Sequence, residues 1–308
     1  MSIEITIRPG EGALSRAIAE LPDNGESAVI RFAPGEYREK VALRRPHTAL
    51  IGSGADCTAI IWDDGAKVPM PDGLNRGTFR TATLFADGEH ITLRGLTIVN
   101  AAPREQAQAL ALYADGDFFT CEDCVLRSGQ DTLFTAPLPP KEILPNGFIG
   151  PKQHAPRTPQ RHTYRRCRIE GDVDFIFGGA AAWFEDCDIV STAPGYATAA
   201  STPQGQKYGY VFNRCRFLSG GAPESSCYLG RPWREYAKTV LLDCEIGPHI
   251  KPEGWDNWSK PQFGQTGLYA EYGCTGPGSD TSARADFSRV LTAEEAAEYT
   301  YEAFMESL

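Results

Sequence analysis

The feature that most constrains this chain is a recurring triplet of cysteine, any residue, then an apolar residue. It occurs as Cys124-Val125-Leu126, Cys167-Arg168-Ile169, Cys187-Asp188-Ile189, Cys215-Arg216-Phe217 and Cys244-Glu245-Ile246, and Leu96-Thr97-Ile98 has the form of an earlier member. The cysteines are 43, 20, 28 and 29 residues apart. Intervals in the twenties suit one coil of a β-solenoid whose coils stack through parallel strands. Cysteine is a small, readily buried hydrophobe, so these side chains are expected to form an interior ladder. Metal binding is the weaker reading, because Cys121-x-x-Cys124 has no second pair to complete a site and the five histidines lack ligand spacing.

The rest of the chain agrees with an all-β solenoid. Short apolar runs alternate with turns at 29–32, 41–43, 49–52, 59–62, 81–85 and 91–99, with no helix between them. Leu14, Ala17, Ile18 and Leu21 fall at helical spacing and predict a short N-terminal capping helix. Thr292-Ala293-Glu294-Glu295 has a capping-box pattern and predicts a C-terminal helix, packed back through Tyr299, Ala303 and Phe304. No linker divides the chain, so residues 1–308 are expected to form one domain. With 42% hydrophobic residues it can fill a substantial core, and a monomer is expected.

Charge and targeting signals narrow the function. A net charge of −10 offers no basic stripe for nucleic acid. No apolar run is long enough to span a membrane. Met1 to Arg8 alternates like a first strand and lacks the apolar block of a signal peptide, and nine scattered cysteines suit reduced thiols. Both predict a cytoplasmic protein, or a secreted one if an N-terminal segment has been removed.

The 43-residue interval breaks the rhythm. Its excess lies between Thr135 and Thr163, a stretch holding seven prolines. Proline at that density cannot sit inside a stacked sheet, which predicts a loop at 135–163 inserted into one coil. Without the loop, Asp131 lies seven residues after Cys124 and Asp174 seven after Cys167. The two carboxylates then occupy equivalent positions on consecutive coils, whose strands lie about 4.8 Å apart. Like charges so close cannot both ionise freely, so the pair is expected to hold one proton to higher pH. One ionised and one protonated carboxyl is a nucleophile-plus-acid arrangement.

Five motifs carry a resemblance across nearly the whole chain. Gly35-Glu36-Tyr37-Arg38-Glu39, Gln106-Ala107-Gln108-Ala109-Leu110, Gly129 to Leu133, Asp174 to Gly178 and Leu229-Gly230-Arg231-Pro232-Trp233 resemble, in order, those of the pectin methylesterases. The resemblance implies a right-handed parallel β-helix and hydrolysis of galacturonate methyl esters in pectin or its oligomers, without a cofactor or metal. It implies Asp174 as nucleophile, Asp131 as general acid and then base, Gln106 and Gln130 as oxyanion donors, and Arg231 as the residue that orients Asp174. Trp233, Phe177, Val173, Thr78, Tyr236 and Trp258 are candidate substrate contacts. The inserted loop is longer than the family's usual connection and is expected to wall one end of the cleft, favouring short substrates. A non-catalytic carbohydrate-binding solenoid and an esterase or thioesterase for another acyl group are the alternatives. A glycosidase or lyase on the same architecture is disfavoured, because glutamine donors suit a tetrahedral oxyanion better than an oxocarbenium ion.

Overall fold

The computed structural model describes residues 3–307. It is a parallel β-helix, in which an 11-stranded sheet runs along one side and a 13-stranded sheet wraps the others. The first strand, Ile3–Ile7, pairs in parallel with Ala28–Phe32. Met1 and Ser2, the start of the predicted strand, lie outside the described residues. Each strand feeds a crossover to a parallel neighbour in the same sheet, a connection that chirality makes right-handed.

The predicted cysteine ladder is present. Leu96, Cys124, Cys167, Cys187, Cys215 and Cys244 stack inside one corner, each at most 2% exposed. The backbone N–H of Cys167 meets Sγ of Cys187 at 3.4 Å, and that of Cys187 meets Sγ of Cys215 at 3.4 Å. Beside it, Tyr164, Phe184 and Phe212 form an interior stack with ring centroids 4.7 and 4.5 Å apart. Every cysteine of the ladder follows a left-handed residue that turns the corner: Asp123, Arg166, Asp186, Arg214 and Asp243 have φ between 50° and 53°. Left-handed backbone is costly for residues with a Cβ. Stacking alternate charges at these corners offsets part of that cost, because Arg166 pairs with Asp123 at 2.7 Å and Arg214 with Asp186 at 3.0 Å.

Several boundaries differ from expectation. The run at 81–85 is a strand only from Leu84 to Asp87, because Thr78–Arg80 forms a 3-10 turn closed by the Thr81 hydroxyl donating to the carbonyl of Thr78 at 2.7 Å. The run at 91–99 splits into Thr92–Arg94 and Thr97–Asn100, since Gly95 turns the corner with φ 62°. The Gly35–Glu39 motif includes the strand Gly35–Arg38 and caps the N-terminal helix, Ala13–Glu20. There the Glu39 carboxylate accepts from the backbone N–H groups of Leu14 and Ser15 at 2.8 and 3.0 Å, satisfying two orphan donors of the helix start.

At the C-terminus the single expected helix is two, Ala293–Ala296 and Tyr301–Met305. Thr292 and Glu295 form the predicted capping box, and Phe304 is fully buried against Trp183. Thr300 caps the second helix in extended backbone, which interrupts the first.

Candidate active site

The cleft lies on the outer face of one row of short strands. Successive strands place Phe85, Tyr113, Phe134, Phe177 and Ala199 in register on that face. Their rings contact in sequence, with centroids 4.8, 4.7 and 4.9 Å apart from Phe85 to Phe177. An aromatic floor results, closed from above by Phe79, Phe148 and Trp233. The cavity over it is about 570 Å³.

Both aspartates stand at the edge of this floor. Leu133 pairs with Ile176, so Asp131 and Asp174, each two residues earlier, hold matching positions on adjacent coils. The backbone N–H of Asp131 donates to the carbonyl of Val173 at 3.0 Å. Asp174 sits in a bulge: the pairing of Arg168–Gly178 with Asp188–Ala200 shifts register between Gly171 and Val173 and again between Val173 and Ile176. Bulges re-aim side chains, and here the residue that would continue the strand turns into the cleft. Asp131 and Asp174 both have positive φ, 64° and 52°.

Electrostatics separate the two acids. Arg231 grips Asp174 with a planar fork, Nε to Oδ1 at 2.8 Å and Nη2 to Oδ2 at 2.7 Å. Its guanidinium is held between the rings of Tyr196 and Trp258, 3.9 and 3.7 Å from their centroids. Burial pushes the Asp174 carboxyl above the usual carboxylate range, and Arg231 opposes that push. Asp131 has no such partner. Burial first, and then the charge of Asp174, hold its carboxyl well above the ordinary value. Asp174 is therefore the more acidic member and Asp131 the one that keeps a proton.

Of the residues singled out in the sequence, Thr78, Gln130, Asp131, Asp174, Phe177, Arg231, Trp233 and Trp258 line the cleft. Three do not. Val173 lies in the bulged strand opposite Tyr196, facing the neighbouring coil, and Tyr236 lies outside the lining. Gln106 ends the 3-10 turn Arg104–Gln106 and packs on Gly65, where even a Cβ would come within 2.2 Å of it. Gln108 takes the place in the cleft expected of Gln106.

The inserted loop supplies Ile143, Leu144, Gly147 and Phe148 to the cleft wall. Arg157 organises it by donating to the carbonyls of Pro139, Lys152, Gln153 and Ala155. Lys152 ties it to Asp87 at 2.7 Å, and Arg234 donates to the Lys141 carbonyl at 3.0 Å. The sequence reading did not find Arg234 and Lys260, which also line the cleft; only their proximity to Arg231 in the fold brings them there.

A family model described as pectinesterase matches residues 10–138 and 156–307. The gap, 139–155, falls inside the inserted loop. Pectinesterase QRT1 of Arabidopsis thaliana is 33% identical over 291 residues, which cover 91% of this chain and 70% of that protein. The chain spans 53% of a longer relative, probable pectinesterase/pectinesterase inhibitor 16 of the same organism. Among solved structures, pectin methylesterase from carrot superposes with a TM-score of 0.82 at 29% identity, covering 98% of this chain and 93% of that one. A pectin methylesterase in complex with hexasaccharide VII superposes with a TM-score of 0.79 at 28% identity, covering 96% of this chain and 93% of that one. The chain belongs to the pectinesterase family and is a carboxylic ester hydrolase.

Proposed function

We propose that this enzyme hydrolyses methyl esters of galacturonate residues in pectin or methylated oligogalacturonides, with Asp174 as nucleophile. The observation that carries the mechanism is the unequal pair of buried aspartates, one forked by Arg231 and the other without a cation of its own. The ionised Asp174 attacks the ester carbonyl carbon. Gln130 and Gln108 donate side-chain N–H groups to the oxygen as negative charge collects on it. Asp131 gives its proton to the departing methoxide, methanol leaves, and an acyl-enzyme anhydride remains. Asp131, now a carboxylate, takes a proton from water as that water attacks the acyl carbon. Cleavage of the anhydride frees the product carboxylic acid and returns Asp174 ionised and Asp131 protonated.

Trp233, with Phe177 beneath it, offers an aromatic surface for a sugar ring, and Thr78 offers a hydroxyl at the opposite wall. Trp258 has a second task, because it also clamps Arg231. The inserted loop favours short substrates in this reading, supported by Ile143 and Leu144, which stand 71% and 70% exposed at the cleft wall.

Methanol release from fully methylated trigalacturonate and from highly methylated pectin, measured side by side, tests both parts. Asp174→Asn should lower release by about 10⁴-fold on either substrate. Near wild-type release from that variant would remove the nucleophile assignment. Equal wild-type efficiency on trimer and polymer would remove the preference for short chains.

A further inference from the structure

Two cations in the cleft have no carboxylate facing them. Arg234 spends two N–H groups on the carbonyls of Trp233 and Lys141, both at 3.0 Å, and its guanidinium lies 4.7 Å from the centre of the Trp233 ring. The ammonium of Lys260 lies 4.6 Å from the centre of the Trp258 ring. Among the described residues neither forms an ion pair. Both are partly buried, and both line the cavity that holds Asp131 and Asp174.

This arrangement is costly. Burial alone pulls the Arg234 guanidinium down to about 10. Burial together with repulsion from Arg234 and Arg231 pulls the Lys260 ammonium to about 8. The chain as a whole carries a net charge of −10, so acidic residues are plentiful, yet none is placed against either cation. Within the cleft, Arg231 and Asp174 cancel and a protonated Asp131 is neutral. Arg234 and Lys260 are then left as uncompensated positive charge beside the reacting ester. An unpaired, partly desolvated cation pair lining a cavity is a binding site for an anion that arrives with the ligand.

We propose that Arg234 and Lys260 form a carboxylate subsite that binds a free galacturonate carboxylate next to the ester being hydrolysed. The proposal rests on the methyl-esterase reading above and adds to it a preference about the neighbouring residue. A fully esterified chain is neutral and leaves the two cations unanswered. A chain that has already lost one methyl group presents the anion they lack. The product of one turnover is thereby the recognition element for the next, and esters beside an existing carboxylate are removed first.

The test compares two trimers, trigalacturonate trimethyl ester and the same trimer with one terminal carboxyl free. Wild type should act on the partly free trimer with a kcat/KM about tenfold higher, the scale of one favourable charge contact at a partly desolvated site. Lys260→Met should bring that ratio close to one, and Lys260→Arg should restore most of it. Thermal unfolding of each variant confirms that the fold is intact. A wild-type ratio near one, with methanol released from both trimers, would overturn the subsite and leave the esterase standing. A ratio that Lys260→Met does not change would also overturn it. Absence of methanol from both trimers would instead remove the esterase reading beneath it.

Discussion

The solenoid stacks aspartates in two places, and it treats them in opposite ways. At the outer corners Asp123 lies under Arg166 and Asp186 under Arg214, so each acid is answered by a cation on the next coil. These residues are about half exposed, and Arg166 holds the Asp123 carboxyl below its usual range. Seven or eight residues further along the same coils Asp131 meets Asp174, acid on acid, with one arginine between two carboxyls. Both pairs of aspartates are under 10% exposed there, and burial raises both carboxyls. A repeating backbone will stack like on like or like on unlike equally well. Where the charges alternate the stack is structural, and where they coincide one proton must be retained, which gives the pair its chemistry.

That contrast can be broken experimentally, most strongly at Asp131. Asp131→Asn should lower methanol release by about 10³-fold, since it removes the proton donor and the later base. The same change should raise stability at neutral pH. A carboxyl whose folded pKa is raised binds its proton more tightly in the native state, so stability falls as pH climbs from about 4 through the folded value. Asparagine removes that loss, and the midpoint of thermal unfolding at pH 7 should rise by a few degrees, roughly 1–2 kcal/mol. A variant that is both inactive and less stable would contradict the retained proton.

Arg231→Lys probes the other member of the pair. Losing the bidentate fork should cost about 10²-fold in kcat/KM. It should also move the acidic limb of the pH–rate profile upward, because Asp174 loses the group that opposes its burial. An acidic limb that stays in place would mean that Arg231 does not set the ionisation of Asp174. The smallest effect belongs to the corner pairs. Arg166→Met should change unfolding free energy by less than about 1 kcal/mol, as for other exposed ion pairs, and leave methanol release unaltered. A large loss of activity would show that the corner stack couples to the cleft.

The fold was legible because its interior repeats. Each coil places a cysteine or its equivalent at the same corner, and the equal offset from Cys124 and Cys167 to the two aspartates follows from that repeat. Counting by coil fails where the backbone departs from it. Gln-Ala occurs twice in succession at 106–109, and pattern alone chose the first. The observed pairing of Leu112 with Leu133 would have chosen otherwise: Gln130 is three residues before Leu133, and its counterpart lies beside Gln108. The bulge at Asp174 turns Val173 away from the cleft in the same manner, a register effect with no sequence period. Arg234, Lys260 and Phe148 arrive on loops far apart in the chain, so only the three-dimensional path unites them.

The inserted loop carries its own fastening, since four of its carbonyls converge on Arg157, which lies only a few residues before the coil resumes at Arg161. Its internal order therefore depends little on the strands that bracket it. In evolutionary terms such a segment is a cassette: it can be acquired, lengthened or exchanged while the stacked coils keep their register. Substrate range and solenoid stability are then free to change on separate schedules, and a graft of 139–155 onto a relative that lacks it would transfer one without renegotiating the other.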